Sequence, residues 1–143
     1  MTGLQWTKSN GKNSKNEGRG QRPLAEAGRH QPHGARTGGR PRNPKIRPVL
    51  VVQNDTSNRY SPVTIVAPVT SRVRLPLSPL HVLLPADSST GLVVPSVAVF
   101  NHIRAVARRR LIKKLGEVDA LVLTQVDDAI RAAFGLPFSD DLK

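Results

Sequence analysis

The sequence contains no cysteine and few aromatic residues, and both shortages narrow what the protein can be. Without cysteine there is no disulfide framework, no thiolate zinc site and no cysteine nucleophile. Aromatic residues make up only 3% of the 143 residues, which argues against a binder built on many stacked bases. The charge is strongly unbalanced: the sequence has 22 Lys and Arg but only 10 Asp and Glu, which gives a net charge of +12. A polyanion, most simply a nucleic acid, is therefore the expected partner.

Long apolar segments are also missing. No run of 18 apolar residues is present, so no membrane-spanning helix is predicted. The polar stretch from Met1 to Asn13 lacks the apolar core of a secretory signal. We expect a cytoplasmic protein that has no membrane partner. The length allows one ordinary domain with a tail.

The chain changes character near Pro44. Residues 1–44 hold 9 Lys and Arg, 2 Glu and 8 of the 11 Gly, but no Val, Ile or Phe. Such a segment buries too little apolar surface to offset the entropy of ordering it, about 1–2 kcal/mol per residue. We predict a disordered basic tail over 1–44, a single domain over 45–138 and a short polar tail over 139–143.

The domain shows strand signals first and a helix signal last. Short apolar runs at 48–52, 63–69, 80–84, 96–106 and 111–115 predict four or five strands, and the polar cluster 54–58 predicts a turn. Apolar residues from Val118 to Phe134 recur at helical spacing, with Asp119 or Glu117 as a cap and Gly135 as the stop. The prediction is a mainly β (α+β) domain, a small bent sheet or barrel closed by a C-terminal helix.

Several motifs occur in a fixed order. R-P-V-L-V-V-Q-N-D covers 47–55, N-R-Y-S-P covers 58–62, V-T-S covers 69–71 and N-H-I-R covers 101–104. From about 46 to 136 the chain resembles the MazF/PemK family of toxin endoribonucleases. The resemblance implies an SH3-like small barrel of the MazF/CcdB/Kid kind that acts as a homodimer, cleaves single-stranded mRNA at short sequence motifs and needs neither metal nor cofactor. It also implies an acidic MazE-like antitoxin, with which such toxins bind DNA.

The resemblance assigns the catalytic roles to Arg47 and Thr70. RNA carries its own nucleophile, the 2′-OH, so the enzyme must orient it, move a proton and stabilise the charged transition state. A guanidinium offers parallel donors to phosphate oxygens, and a threonine hydroxyl can hold a phosphate oxygen or the 2′-OH. Outside this motif, an Arg before a strand is usually a solvated charge and a Thr at a strand end is usually a turn or strand former.

Five further residues are expected to contact RNA. Asn54 is also a natural turn former, and Ser71 follows the catalytic Thr70. Asn101 and His102 stand where relatives often carry an acid or amide pair, and His102 could act as acid or base near its usual pKa of about 6.5. Both could equally be polar residues that face solvent. The fifth residue, Arg104, matches a family Arg and could bind phosphate.

The first strand of the family, a Gly-acid-apolar-Trp or Tyr segment, is not recognisable in residues 1–44. Three explanations are open: an atypical extension that supplies a strand from Gly3 to Thr7, a degenerate remnant, or a reading frame that is wrong upstream of about codon 45. Two other functions also stay open. One is a CcdB-like toxin that binds gyrase, and the other is an inactive, truncated relative that binds RNA without cleaving it.

Overall fold

The computed structural model of the chain describes residues 22–28 and 46–138. Within these ranges the chain forms seven strands, two α-helices and two 3₁₀ turns, Phe100–His102 and Arg108–Arg110. No helix in the described part is long and apolar enough to cross a membrane. The elements in chain order are β1 (Pro23–Ala27), β2 (Arg47–Val51), α1 (Asp55–Tyr60), β3 (Val63–Thr70), β4 (His81–Leu84), β5 (Ser96–Val99), β6 (Arg104–Ala107), β7 (Leu111–Glu117) and α2 (Ala120–Phe134).

The strands form one antiparallel sheet in the order β4-β5-β3-β2-β1-β7, and β6 also pairs with β3. One edge of β3 pairs with β2, while the other pairs first with β6 along Val63–Val66 and then with β5 at Val69 and Thr70. Pro68 lies in the gap between these two ladders, where a residue without an N–H is best tolerated. β3 therefore joins two parts of the sheet.

The structure corrects the prediction that residues 1–44 contain no ordered segment. Residues 23–27 form β1, which lies between β2 and β7 and pairs with both. Leu24 and Ala25 are fully buried. The segment has weak intrinsic strand propensity, but its side chains are mostly small and it has a neighbouring strand on each edge, so it fits the interior. The chain thus supplies a strand before Arg47 at 23–27, while the predicted strand from Gly3 to Thr7 lies outside the described residues.

Two apolar clusters lie on the two sides of the sheet. The larger one packs α2 against the sheet, through residues such as Val122, Val126 and Ala129 of the helix. The smaller one lies on the opposite face and consists of Ala25, Ala27, Val49, Val51, Val66 and Leu111. Alternate residues of β2 belong to different clusters, as the two-residue period of a strand requires. Arg47 therefore shares its face with the smaller cluster.

The C-terminal helix agrees with its prediction. The Asp119 carboxylate caps it by accepting a hydrogen bond from the Val122 N–H at 2.8 Å. Gly135 ends it with a φ of 66°, a left-handed conformation that favours glycine. Two local predictions were wrong. The segment 96–106 is divided by the turn Phe100–His102, and the polar cluster after β2 forms the short helix α1, capped by the Asn54 side chain.

Candidate active site

Arg47 and Thr70 lie on neighbouring strands of the sheet. β2 and β3 are paired antiparallel, with Val51 opposite Val66 and Val49 opposite Pro68. The same register extended by two residues brings Arg47 opposite Thr70, on one face of the sheet. Side chains in this relation have Cβ atoms about 5 Å apart. Two residues separated by more than twenty positions in the sequence thus converge at one end of the sheet.

The environment of this pair leaves it open to a ligand. Arg47 is exposed, and no carboxylate in the described part of the chain forms an ion pair with it. Thr70 is half-buried, and its Oγ1 accepts a hydrogen bond from the backbone N–H of Arg72 at 3.2 Å. Because that bond uses a lone pair of Oγ1, the hydroxyl proton stays available to a phosphate oxygen. The pair offers a fixed positive charge beside an oriented O–H donor.

Asn101, His102 and Arg104 follow the outer edge of β3. Asn101 and His102 are exposed residues of the 3₁₀ turn between β5 and β6, so they lie beside the gap in the β3 ladders at Ala67 and Pro68. Arg104, also exposed, begins β6 directly opposite Val66. These side chains flank the same stretch of β3 that ends at Thr70. Their contacts with RNA remain predictions.

The other two predicted RNA contacts have different positions. Ser71 is exposed directly after Thr70, at the site. Asn54 lies beyond the opposite end of β2 from Arg47, where its side-chain oxygen accepts a hydrogen bond from the Ser57 N–H at 2.8 Å. The structure therefore shows Asn54 as the cap of α1, away from Arg47. Its contact with RNA also remains a prediction.

The structure adds two arginines that the sequence analysis did not single out. Arg72 and Arg74 are exposed in the segment that follows Thr70 and precedes β4. Their signal in the sequence was the R-x-R pattern immediately after the V-T-S motif. Both guanidinium groups are near enough in the chain to add positive charge at this end of the sheet. Among the described residues, no group of three His, Asp or Glu side chains is placed to hold a metal ion.

Comparisons with known proteins agree with the predicted family. The family model for the PemK-like, MazF-like toxin of type II toxin–antitoxin systems matches residues 35–134. That range starts before the domain boundary predicted at residue 45. The chain belongs to the PemK/MazF toxin family.

Individual relatives support the same class. Endoribonuclease EndoA of Bacillus subtilis is 36% identical over 91 residues, which cover 64% of this chain and 78% of that protein. Endoribonuclease MazF of Staphylococcus saprophyticus is 38% identical over 91 residues, or 64% of this chain and 75% of that protein. The predicted class, endoribonuclease toxins of type II toxin–antitoxin systems, is thereby confirmed.

Solved structures confirm the predicted fold. Toxin MazF-mt6 of Mycobacterium tuberculosis superposes with a TM-score of 0.65 at 25% identity, covering 82% of this chain and all of that one. MazF in a MazE–MazF structure from Deinococcus radiodurans gives a TM-score of 0.58 at 28% identity, with coverage of 80% and 93%. The mainly β architecture with a C-terminal helix is that of the MazF toxins.

Proposed function

We propose that this toxin cleaves single-stranded mRNA without a metal ion, and that Arg47 and Thr70 carry the reaction. The observation that supports this most directly is the register of β2 and β3, which, extended by two residues, brings a guanidinium that has no ion pair among the described residues opposite a hydroxyl on one face. Two relatives with similar sequences, from Bacillus subtilis and Staphylococcus saprophyticus, are named endoribonucleases, which favours RNA cleavage over gyrase binding.

The chemistry that fits this pair is attack of the RNA's own 2′-oxygen on the neighbouring phosphorus. The 2′-O–P bond forms and the P–O5′ bond breaks, which leaves a 2′,3′-cyclic phosphate and a 5′-OH. The 2′-OH proton leaves to a base while the departing 5′-oxygen gains a proton. The Arg47 guanidinium stabilises the negative charge of the transition state and takes part in proton transfer, and Thr70 positions a phosphate oxygen.

Neighbouring residues have supporting roles in this proposal. His102 lies on the turn beside β3, where its imidazole acts as acid or base in the proposed reaction. Arg104 and Ser71 hold phosphate oxygens on either side of the scissile bond, and Asn101 contacts a base. The short motif that is cleaved depends on contacts with unstacked bases.

The proposed partners follow from the family. The protein acts in the cytoplasm as a homodimer, and an acidic MazE-like antitoxin covers the basic RNA site until it is removed. The Deinococcus radiodurans relative is solved as a MazE–MazF complex, which supports such a pairing here. A disordered acidic segment is well suited to this competition, because it wraps a basic surface and is easily displaced or degraded.

The test is cleavage of an mRNA pool by the full chain in the presence of EDTA. We expect the wild type to produce fragments that end in 2′,3′-cyclic phosphate, and the Arg47→Ala variant to lose about 10²–10³-fold in rate. Arg47→Lys should recover only part of the loss, because an ammonium lacks the two parallel donors. Lys113→Gln, a charge loss on the exposed part of β7, serves as the control and should cleave normally.

Two results would contradict the proposal. If Arg47→Ala cleaves RNA as fast as the wild type, Arg47 is a solvated surface charge. If the folded wild type does not cleave RNA in EDTA but binds gyrase, the CcdB-like alternative holds.

A further inference from the structure

A second group of basic side chains and an exposed tyrosine lie at the other end of β3. Arg59 and Tyr60 are the last residues of α1, while Arg108 and Arg109 belong to the 3₁₀ turn between β6 and β7. The Arg108 backbone N–H donates to the Pro62 carbonyl at 2.9 Å, and its guanidinium donates to the Ser61 carbonyl at 3.3 Å. These bonds hold the turn against the segment that joins α1 to β3. We call Arg59, Tyr60, Arg108 and Arg109 the distal basic surface.

The charges of this surface are not neutralised by described carboxylates. Within residues 22–28 and 46–138, none of its three guanidinium groups forms an ion pair, and the nearest acid in sequence, Asp55, lies one turn before Arg59. Arg109 is exposed, and the Arg108 guanidinium donates to the Ser61 backbone carbonyl. A cluster of unpaired positive charge favours a polyanion as ligand.

Tyr60 gives this surface a chemistry that charge alone does not provide. Its side chain is 75% exposed, and the Arg59 guanidinium lies 5.5 Å from the ring centroid. One face of the ring is thus covered by a cation, which leaves the other face open to a flat partner. A nucleic-acid base has such a face and can stack on the open side of the ring. An acidic peptide carries negative charge, as RNA does, but it has no nucleobase that could stack on Tyr60.

The distal basic surface and the candidate active site lie at opposite ends of β3. Thr64, Val66, Pro68 and Thr70 share a face of β3 because strand side chains alternate. The Thr64 hydroxyl donates to Asn58 of α1 at 2.6 Å, and Val66 lies opposite Arg104. Arg104 therefore lies between the two sites. At about 3.3 Å per residue, β3 spans about 23 Å from Val63 to Thr70, a distance that only several nucleotides could bridge.

We propose that the distal basic surface is an extended RNA subsite, which holds phosphates and stacks one base several nucleotides away from the scissile bond. This inference rests on the proposed function, since it assumes that RNA occupies the Arg47 and Thr70 end. Its consequence is that long single-stranded RNA binds more tightly than short RNA. Arg104 continues the positive path between the two ends, so the strand is guided along β3.

The experiment measures the dissociation constants of two 2′-O-methyl RNA pools of random sequence, about 3 and about 24 nucleotides long, a range that brackets the roughly 4–16 nucleotides of known single-strand sites. These probes have no free 2′-OH and therefore stay intact by the proposed chemistry. The test variants are Arg59→Gln/Arg109→Gln, which keeps the Arg108 hydrogen bonds, and Tyr60→Leu. The matched control is Lys113→Gln/Arg131→Gln, which removes the same charge from β7 and α2.

We expect Arg59→Gln/Arg109→Gln to weaken binding of the long pool about tenfold, and to lower its salt dependence by about 1.4 in log–log slope, since each single-strand phosphate contact contributes about 0.7. Tyr60→Leu should weaken the long pool about fivefold or more without changing the salt slope. Binding of the short pool should stay the same in all variants. The control should lose far less affinity for the long pool.

The inference is overturned if the wild type binds both pools equally, or if the control loses as much affinity as the test variant. It is also overturned if the variants lose affinity only for an acidic peptide, because the surface would then serve the antitoxin. The outcome is independent of catalysis. If the wild type cleaves no RNA, the proposed function fails, yet the comparison of the two pools still tests whether the distal basic surface binds RNA.

Discussion

Hydroxyl and amide side chains have opposite roles at the two ends of β3. At the Val63 end lies a polar cluster formed by the side chains of Gln53, Asn58 and Thr64. Its centre is the Asn58 Oδ1, which accepts hydrogen bonds from Gln53 at 2.9 Å and from Thr64 at 2.6 Å. At the other end, the Thr70 hydroxyl accepts a hydrogen bond from the backbone N–H of Arg72, and in the described part of the chain Arg47 has no carboxylate partner. The first set stabilises the fold through mutual bonds, while the second leaves donors free for a ligand.

The comparison teaches that residue type alone does not indicate function in this family. Asn54 and Asn58 are both amides of the R-P-V-L-V-V-Q-N-D and N-R-Y-S-P motifs, and both are engaged in holding α1. Thr64 and Thr70 lie on the same face of one strand, but Thr64 is 1% exposed and Thr70 is half-buried at the sheet end. Free hydrogen-bonding capacity beside an unpaired charge is the sharper indicator.

The largest effect expected from comparing the two ends of β3 comes from Thr70→Val, which removes the hydroxyl and keeps the shape. We expect RNA cleavage to slow by about 10²-fold, because one preorganised donor to the phosphate is lost. The free energy of unfolding should change by less than about 1 kcal/mol, since Thr70 holds only one local hydrogen bond. Initial cleavage rates and urea unfolding measure the two effects. An unchanged rate would show that the two ends of β3 do not differ in function.

Much of this architecture could be predicted from the sequence, because the main apolar runs and the helical spacing of α2 are strong local signals. β1 could not, since Pro23–Ala27 has one large apolar residue and is stabilised by its two neighbours. The same holds for the turn that divides 96–106, which depends on how β5 and β6 share the edge of β3. Both features depend on contacts with neighbouring strands, which the local strand propensity of a segment does not reveal.

The site could be predicted in its residue types but not in its geometry. The motif assigned Arg47 and Thr70, yet only the antiparallel register of β2 and β3 places them opposite each other. Asn54 is the cap of α1. This role could not be predicted, because the composition of 54–58 predicted a turn and not a helix. The distal basic surface could not be predicted either. Its two parts are brought together by hydrogen bonds between residues more than forty positions apart in the sequence.

The second prediction concerns the buried polar cluster. Asn58→Ala should lower the free energy of unfolding by about 2–3 kcal/mol, because it leaves the buried Thr64 hydroxyl and the Gln53 carbonyl without their partners. The cleavage rate per folded molecule should stay within about twofold, in contrast to Thr70→Val. The double variant Asn58→Ala/Thr64→Val removes the stranded hydroxyl and should recover part of the lost stability. Equal losses in the single and double variants would contradict this explanation.

The third prediction separates capping from RNA binding at Asn54. Asn54→Ala should lower the free energy of unfolding by about 1 kcal/mol, the usual effect of removing a helix N-cap. Asn54→Ser keeps an acceptor for the Ser57 N–H and should keep both the stability and the affinity for RNA. Chemical unfolding and the dissociation constant of the intact 2′-O-methyl pool measure the two properties. If the serine variant is stable but binds RNA more weakly, the amide contacts RNA and the predicted role holds.

The smallest expected effect concerns the link between β1 and α2. The Arg22 guanidinium donates to the Val52 carbonyl and lies 3.5 Å from the Asp127 carboxylate, so one side chain connects the first strand, the end of β2 and the helix. Both side chains are partly exposed, so Asp127→Asn should cost only about 0.5 kcal/mol and leave cleavage unchanged. Leu24→Ala is the matched comparison, because it empties a fully buried position of the same strand and should cost about 2–5 kcal/mol. A loss from Asp127→Asn as large as that from Leu24→Ala would show that charge, and not burial, holds β1 in the sheet.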